Sequence, residues 1–557
     1  MQRNIKTSKG QTAALFTGLA LISILYFSFP CHVYLSDGLK TAIQMRDSGG
    51  LHVHPNHILY PLLPGLIYRA LGGKIVSDFE IEILLLWSLL AGIVACAGLV
   101  LSLRARSLSV AATLISLGLF AFFKAVWYLS VIPSPSSNAL AAQVCGLTAI
   151  VLVSRSLPAG PSRTDVAIMS VFSALAILGS QLNVVLIPIA AVVIYLGAKP
   201  KSEKHKDLFV YLAITLAIVL GVSIFCGVAL AGVRSLGGFI TWQHSYVYDS
   251  RWWVHGIDDA IYWNWAGLNE TILAFPFRLD TLYGNWMIEF PEPNFWWRLL
   301  IRSGQALAMI FLFIETVRAA VSYIKGTVRT FIQTVGLIAA LPLIVFLSFW
   351  TTVTIHYRVL YLPGLILFLA PSIERNYSLS KFNFKRALPA IIGVFMLFAS
   401  NFVLQFLPQS FPANNPHFQE ILFMRDYVDP GDVIIYSGSP DGAMRSLYAD
   451  YFLQCDSIRL NVIIPEIRDN PDEVRERLLS VMEAGKQVLV DQHALFPGDS
   501  IDYMSEQYHI DVAPNELMNF LDTWAVPNGE IQSGNLLFFK LSPVPDRFEM
   551  PVSRGSP

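Results

Sequence analysis

Two short polar segments of an otherwise apolar chain carry the residues best suited to chemistry. The first reads CHVYLSDGLKTAIQMRDSGG and contains the carboxylates Asp37 and Asp47. A carboxylate can act as a general base where it reaches a hydroxyl group that is to be deprotonated. Asp37 also suits the N-cap of a helix, because aspartate commonly begins a helix such as DGLKTAIQM. Both roles are open for Asp37 at this point.

Three histidines follow these carboxylates in the segment LHVHPNHILYPLLPGLIY. His52, His54 and His57 are close enough in sequence to suggest a metal site. No matched cysteine or carboxylate spacing completes a tetrahedral set of ligands, however. We therefore expect no metal here, and we predict that these histidines are structural or face a phosphate group.

The second polar segment, TTVTIHYRVLYLPGLILFLAP, contains His356, Tyr357 and Arg358. Arg358 stands directly before an apolar run, where a cation should have a partner. The planar guanidinium group matches the oxygens of a phosphate, and a lipid phosphate is a natural source. We predict that Arg358 binds such a phosphate. The alternative is an arginine whose stem lies in lipid while its charged end reaches the headgroups.

The elements that must position these residues are predicted to be membrane helices. The chain has 557 residues, of which 54% are hydrophobic and 14% are charged, whereas soluble domains carry about 25% charged residues. A helix needs about 20 apolar residues to cross the hydrocarbon core. We predict eleven spans, at residues 13–31, 83–103, 108–124, 138–154, 166–180, 183–198, 208–232, 300–317, 330–350, 359–373 and 387–407.

The distribution of basic residues predicts the orientation of these spans. Lysines and arginines concentrate in alternate connections, such as those that contain Arg104 and Arg106, or Lys199 and Lys201. The short connections on the other side hold Arg358 alone. Because lysine and arginine accumulate on the cytoplasmic side, we predict a cytoplasmic N-terminus. An odd number of spans then puts the C-terminus outside a membrane that we expect to be the cell (inner) membrane.

Two long connections lie on the outer side of this predicted topology, at residues 32–82 and 233–299. The first is apolar but too short and too interrupted by prolines to span. The second is crowded with tryptophan and tyrosine, which suit the membrane interface. We predict that both lie along the membrane surface.

From residue 408 onwards, charged residues return at ordinary density, so residues 1–407 are predicted to form the membrane domain and residues 408–557 a small soluble α/β domain. In this domain we predict strands at DVIIYSG (432–438), NVIIP (461–465) and QVLVDQ (487–492). The segment NPDEVRERLLSVMEAG is typical of a helix, with Asn470 near its N-cap and Gly485 at its end.

The early acid of the first outer loop, the HPNHILY segment and the late YRVLYLPGL helix together resemble the GT-C glycosyltransferases. These are polytopic membrane enzymes that use polyprenyl-phosphate sugars. In that family an acid in the first outer loop is the catalytic base, and Asp37 matches its position better than Asp47. An arginine near a late helix contacts the carrier phosphate, and Arg358 matches it. The resemblance implies that His356, Tyr357, His54, His57 and Asp47 lie among the substrate-binding residues.

The chain departs from the family pattern in two places. Many members carry a second acid between the third and fourth spans, where this chain reads YLSVIPSPSSN. The first loop also lacks the Asp-x-Asp pair of metal-dependent oligosaccharyltransferases. The resemblance therefore favours an inverting mechanism without a metal and without another cofactor.

The function implied by the resemblance is that of a hexosyl- or pentosyltransferase on the non-cytoplasmic face. Its partners would be the lipid bilayer, a polyprenyl-phosphate sugar donor and an acceptor that is a glycan, a lipid or a protein. The net charge of −1 does not favour nucleic acid. Two alternatives are a transporter or flippase of envelope precursors, and a non-enzymatic scaffold or sensor. A transporter should have paired halves with broken helices, and acids near mid-membrane. The sequence shows neither, because the predicted spans hold few ionisable residues and the long outer loops suit the membrane interface.

Overall fold

Apolar runs separated by short polar breaks fold into helices, because backbone groups in lipid must find their hydrogen-bond partners within the segment. The computed structural model divides into two units, with the boundary between Ser410 and Phe411. It describes residues 9–72, 79–156, 159–244, 256–274, 295–326, 330–350, 354–377, 384–498, 500–533 and 536–544.

Eighteen α-helices lie in the described part of the first unit. They are α1 (Lys9–Ser28), α2 (Ser36–Asp47), α3 (Leu59–Ala70), α4 (Phe79–Ala105), α5 (Val110–Phe122), α6 (Lys124–Ser130), α7 (Pro135–Val153), α8 (Arg163–Gly179), α9 (Leu186–Leu196), α10 (Lys201–Ala229), α11 (Leu236–His244), α12 (Ile257–Ile272), α13 (Phe295–Ile324), α14 (Phe331–Leu347), α15 (Ile355–Arg358), α16 (Leu362–Tyr377), α17 (Phe384–Asn401) and α18 (Leu407–Gln409).

Each of the eleven predicted spans coincides with a helical segment of this unit. Seven segments are long and apolar enough to cross a membrane: Lys9–Ser28, Phe79–Ala105, Pro135–Val153, Lys201–Ala229, Leu299–Ile324, Ile355–Tyr377 and Ala387–Gln409. An eighth is present if α5 and α6 count as one bent span. The other three, α8, α14 and the segment Gln181–Leu196, are shorter. The predicted polytopic helical membrane fold is confirmed.

A break between α5 and α6 was not evident from the apolar run. The two helices meet at an angle of 66°. Phe123 adopts an extended backbone (φ −58°, ψ 132°), which ends α5, and Lys124 begins α6. A broken helix, which is one of the expected signs of a transporter, is therefore present in this chain.

The first long connection contains helices rather than a span, as predicted. α2 and α3 both lie within residues 32–82, and α3 continues through Pro61 and Pro64. The second connection contributes α11 and α12. Much of its aromatic segment, at residues 245–255 and 275–294, lies outside the described residues, so its predicted place on the membrane surface stays a prediction.

Two glycines bring α14 and α16 into backbone contact. A Cβ atom at Gly336 would lie 2.4 Å from the backbone nitrogen of Phe368, and one at Gly364 would lie 2.7 Å from that of Ala340. Small residues at such crossings let helices approach closely, which favours association in lipid. This contact fixes α16, which follows Arg358 in the chain, against α14.

The second unit is a small α/β fold, as predicted. Its elements are α19 (Pro416–Met424), β1 (Val433–Tyr436), α20 (Pro440–Phe452), β2 (Asp456–Arg459), α21 (Leu460–Asp469), α22 (Pro471–Glu483), β3 (Val488–Asp491), α23 (Gln492–Leu495), α24 (Ser500–Tyr508), α25 (Glu516–Leu521), β4 (Ala525–Ser533) and β5 (Leu536–Pro543). The sheet has the order β2-β1-β3-β5-β4. β1 pairs in parallel with β2 and β3, and β5 pairs antiparallel with β3 and β4.

The predicted strand at NVIIP (461–465) is wrong, because this segment lies in α21. The buried residues of α21 are Leu460, Ile463, Ile464 and Ile467, which recur at the spacing of one helix face. The short apolar run in the middle of that face looks like a strand by itself. The predicted strands at 432–438 and 487–492 correspond to β1 and β3, and the predicted helix corresponds to α22, with Asn470 as its N-cap.

A buried ion triad joins the sheet of this unit to two of its helices. Arg445 of α20 donates two hydrogen bonds to the Glu420 carboxylate, at 2.8 and 3.1 Å, and one to Asp491 Oδ2 at 2.7 Å. All three side chains are buried. Removal of one member of such a group leaves a buried charge without compensation, which is strongly destabilising.

We predict that residues 411–557 fold without the membrane unit, because they contain their own sheet and core. The fragment should unfold cooperatively in urea. Arg445→Met should lower its free energy of unfolding by about 3–5 kcal/mol or leave it unfolded. The control Arg475→Met removes an exposed ion pair with Asp472 and should change the free energy by less than about 1 kcal/mol. Equal stability of the two variants would contradict this account of the triad.

Candidate functional site

Asp37 lies in the first turn of α2, with its side chain exposed. The helix begins one residue earlier, at Ser36, and its N-cap residue Leu35 makes no side-chain capping bond. The N-cap interpretation of Asp37 is therefore wrong. Within the part of the chain that the structure describes, no hydrogen bond or ion pair engages the Asp37 carboxylate.

Close backbone packing fixes the position of Asp37. A Cβ atom at the next residue, Gly38, would lie 2.5 Å from the carbonyl oxygen of Pro133. The start of α2 is thus packed directly against the loop that precedes α7. From this position the charge of Asp37 acts on His54, His57 and His356, which come from two distant parts of the sequence.

His54 and His57 lie side by side in the loop before α3, with ring centroids 5.7 Å apart. His57 Nδ1 lies 3.1 Å from the carbonyl oxygen of Gly179, so this nitrogen carries the proton. His54 Nδ1 accepts a hydrogen bond from the backbone N–H of Asn56 at 3.2 Å. Burial, then the neighbouring charge of His57, lowers the pKa of His54 to about 4, and burial also lowers the pKa of His57. Two neutral imidazoles therefore accompany Asp37 near pH 7.

His356 reaches the same region from α15. Its Nδ1 lies 3.4 Å from the hydroxyl oxygen of Ser136, a buried residue in the first turn of α7. Ser134 caps this helix by accepting a hydrogen bond from the backbone N–H of Ser136. The positive end of the α7 dipole therefore lies beside His356, where it favours negative charge.

Arg358 follows His356 by two residues and is covered by protein, with 2% of its side chain exposed. Its Nη2 donates a hydrogen bond of 2.7 Å to Asn264 Oδ1 on α12. The amide nitrogen of Asn264 donates to the carbonyl oxygens of Ala260 and Ser348, at 2.7 and 3.3 Å, which fixes its orientation. An arginine that snorkels to the headgroups would be exposed, so the burial of Arg358 argues against that alternative.

A second buried cation, Lys124, was missed in the sequence. At the start of α6 it forms an ion pair with Glu270, which lies on α12 together with Asn264. The sequence feature that could have indicated this cation is a lone charge inside the apolar run AFFKAVW. Lys124 is the last residue of the predicted span 108–124. α12 thus supplies polar partners to Arg358 and to Lys124.

Two of the predicted site residues are less well connected to this cluster. Asp47 ends α2, ten residues or about 15 Å along the helix from Asp37. It is exposed and paired with Arg46 at 3.1 Å. Tyr357 packs its ring against Trp350, with centroids 4.8 Å apart.

Among the described residues, no group of three or more side chains is arranged to hold a metal ion, and this includes His52, His54 and His57.

The fold is similar to that of a solved structure of ArnT from Cupriavidus metallidurans in the apo state. The two chains are 10% identical, with a TM-score of 0.56, and the match covers 96% of this chain and 98% of that one. This likeness establishes the fold alone: the chain has the GT-C fold that the sequence resemblance predicted.

Two further solved structures match with TM-scores below 0.5 and do not strengthen the conclusion about the fold. The archaeal oligosaccharyltransferase AglB from Archaeoglobus fulgidus, in complex with an inhibitory peptide and a dolichol-phosphate, is 11% identical, with a TM-score of 0.49 over 98% of this chain and 75% of that one. The S. cerevisiae protein O-mannosyltransferase Pmt1-Pmt2 complex bound to the sugar donor is 12% identical, with a TM-score of 0.32 over 42% and 34%. No protein-family model and no curated protein sequence matches the chain.

We predict that the contact between Arg358 and Asn264 stabilises the membrane unit. Asn264→Leu leaves the buried guanidinium without this acceptor and should lower stability by about 1.5–3 kcal/mol. Asn264→Asp keeps an acceptor for Arg358 and loses only the amide donors. Its melting temperature should therefore be closer to that of the wild type than the melting temperature of Asn264→Leu. Thermal unfolding in detergent measures all three proteins. Equal melting of the Leu and Asp variants would show that the arginine contact contributes nothing.

Proposed function

We propose that this chain is a glycosyltransferase that moves a sugar from a polyprenyl-phosphate lipid to an acceptor on the non-cytoplasmic face. The transferred group is a hexose or a pentose, and the acceptor is a glycan, a lipid or a protein. The observation that carries the proposal is the grouping of an exposed carboxylate, Asp37, which has no ion-pair partner among the described residues, with His54, His57 and His356 in a chain of GT-C fold.

The chemistry assigned to Asp37 is general-base catalysis. The acceptor hydroxyl gives its proton to the Asp37 carboxylate as the hydroxyl oxygen attacks the anomeric carbon. The bond between that carbon and the phosphate oxygen breaks, and polyprenyl phosphate leaves with the electron pair. Attack from the face opposite the phosphate inverts the anomeric configuration. An exposed carboxylate suits this role because the acceptor must be able to reach it.

Arg358 and His356 are assigned to the phosphate of the donor. Negative charge develops on the leaving phosphate, and a fixed cation lowers the barrier by stabilising that charge. Asn264 holds the guanidinium in one orientation, so the cation does not have to reorganise during the reaction. Tyr357, His54 and His57 line the approach to these groups, and Asp47 has a lesser role at the far end of α2.

The orientation follows the asymmetry of basic residues: a cytoplasmic N-terminus and an extracytoplasmic C-terminal domain in the cell (inner) membrane. Arg358 and Asp37 then lie on the outer side, where a lipid-linked sugar would be used. The absence of an Asp-x-Asp pair in the first loop supports transfer without a metal.

We predict that Asp37→Asn removes the proton acceptor at nearly constant size and lowers transfer by roughly 10²–10⁴-fold. The measurement is the release of polyprenyl phosphate from polyprenyl-phosphate sugars extracted from the host membrane, in the presence of host acceptors. Expression and melting should remain those of the wild type. Asp47→Asn is the matched comparison on the same helix and, because of the lesser role assigned to Asp47, should lower transfer by less than about ten-fold. If Asp47→Asn loses transfer while Asp37→Asn does not, the base is Asp47.

We predict that Arg358 sets the affinity for the donor lipid. Arg358→Ala should weaken donor binding by about 10–100-fold, the value of a charge-assisted hydrogen bond. Arg358→Lys keeps the charge but loses the planar guanidinium group. Its affinity for the donor should therefore lie between those of the wild type and Arg358→Ala. Binding of the acceptor should be unchanged in both variants. Equal donor affinity of the wild type and Arg358→Ala would exclude the phosphate role.

A further inference from the structure

The end of α16 that is remote from Arg358 borders a cavity with a volume of about 360 Å³. Its lining includes Arg106, Phe331, Glu374 and Arg375. Roughly sixteen helical residues separate Arg358 from Glu374, which corresponds to about 24 Å along the chain axis. The cavity therefore lies at the opposite end of α16 from Arg358 and the neighbouring His356.

Two arginines, Arg106 and Arg375, line this cavity. The guanidinium of Arg106 stacks on the ring of Phe331, at 4.3 Å from the ring centroid, and also contacts Ser154. Its Nε is buried and has no hydrogen-bond partner among the described residues. Arg375 is exposed, and no hydrogen bond or ion pair engages it within the described ranges.

The N-terminus of α14 adds to this positive potential. Thr330 caps the helix by accepting from the backbone N–H of Gln333, and the side chain of Gln333 accepts in return from Thr330. The N–H groups of Phe331 and Ile332, in the first turn, have no partner within the helix. Both residues line the cavity, so the positive end of a 17-residue helix is directed toward it.

The one acid of the lining, Glu374, is engaged elsewhere. Its Oε2 accepts hydrogen bonds of 2.7 Å from both the backbone N–H and the hydroxyl group of Ser109, which caps α5. These two hydrogen bonds hold the Glu374 carboxylate at the N-terminus of α5, where the positive end of the helix dipole compensates its charge. The cavity keeps two arginines and a helix N-terminus for a ligand.

The remaining lining is apolar and includes Leu108, Ile332 and Pro371. A cavity lined by both cationic and apolar side chains fits a molecule that combines an anionic group with apolar chains. Basic pockets between membrane helices bind the headgroups of anionic lipids in this way.

We propose that this cavity binds the phosphate headgroup of an anionic phospholipid in the leaflet remote from Asp37. Arg106 and Arg375 hold the phosphate, and the first turn of α14 contributes backbone N–H groups. The apolar walls cover the glycerol backbone and the first methylene groups of the acyl chains. The site is separate from the transfer chemistry and does not depend on it.

The test measures binding of phosphatidylglycerol to the full chain in nanodiscs of phosphatidylcholine, by native mass spectrometry over a range of phosphatidylglycerol fractions. Arg375→Gln should weaken binding about five-fold, the value of one basic residue at a membrane surface. Arg106→Gln should do the same, and the double variant should lose more. Arg163→Gln is the matched control, because Arg163 is exposed at the start of α8 and does not line the cavity.

The outcomes separate a lipid from a soluble phosphate. Loss of binding in Arg375→Gln but not in Arg163→Gln, with no competition from millimolar inorganic phosphate, supports the lipid site. Equal lipid binding by Arg375→Gln and the wild type would overturn the lipid site. Equal losses of binding in Arg375→Gln and Arg163→Gln would also overturn it. Displacement of the lipid by inorganic phosphate would assign the cavity to a soluble phosphate compound instead. Arg375 is exposed, so its substitution leaves the fold intact even if Arg106→Gln does not fold.

Discussion

The backbone contact between α14 and α16 is the constraint on which the rest of the membrane unit depends. Lipid supplies no hydrophobic force between helices, so their association relies on close packing. At Gly336 and Gly364 the backbones themselves touch, and no side chain fits between them. α16 is therefore fixed in position over its whole length. One end follows Arg358, and the other carries Glu374 and Arg375.

The candidate site combines a fixed cation with an accessible carboxylate. Arg358 is buried and oriented by Asn264, whereas Asp37 is exposed and unpaired among the described residues. A buried charge is stable only with a partner, which explains why α12 provides an acceptor to Arg358 and a carboxylate to Lys124. Under the proposed function, the fixed cation meets the phosphate of the donor and the accessible carboxylate meets the acceptor.

The neutral histidines complete this division of roles. His54 and His57 are buried enough to remain uncharged near pH 7, so they add hydrogen-bonding groups beside Asp37 without neutralising it. A charged imidazole in the same place would form an ion pair with the carboxylate and make it a weaker base. The burial of these rings thus preserves the negative charge that a general base requires.

The sequence allowed the helical framework to be predicted because lipid permits few structures other than helices. Asp37, His57 and Arg358 were selected as candidates from local motifs. The partners of Arg358 and His57 could not be predicted, since Asn264 is 94 residues from Arg358 and Gly179 is 122 residues from His57. Contacts across such separations leave no local pattern. The segment NVIIP (461–465) failed for a related reason, because a short apolar run fits a strand and a buried helix equally well.

Under the proposed function, the chain uses a polyprenyl-phosphate sugar as its donor. The most direct measurement is mass spectrometry of membrane lipids from host cells that lack the gene, compared with cells in which it has been restored. We expect one polyprenyl-phosphate sugar to accumulate in the deletion strain and to return to its normal level on restoration. An unchanged set of polyprenyl-phosphate sugars in the two strains would contradict it.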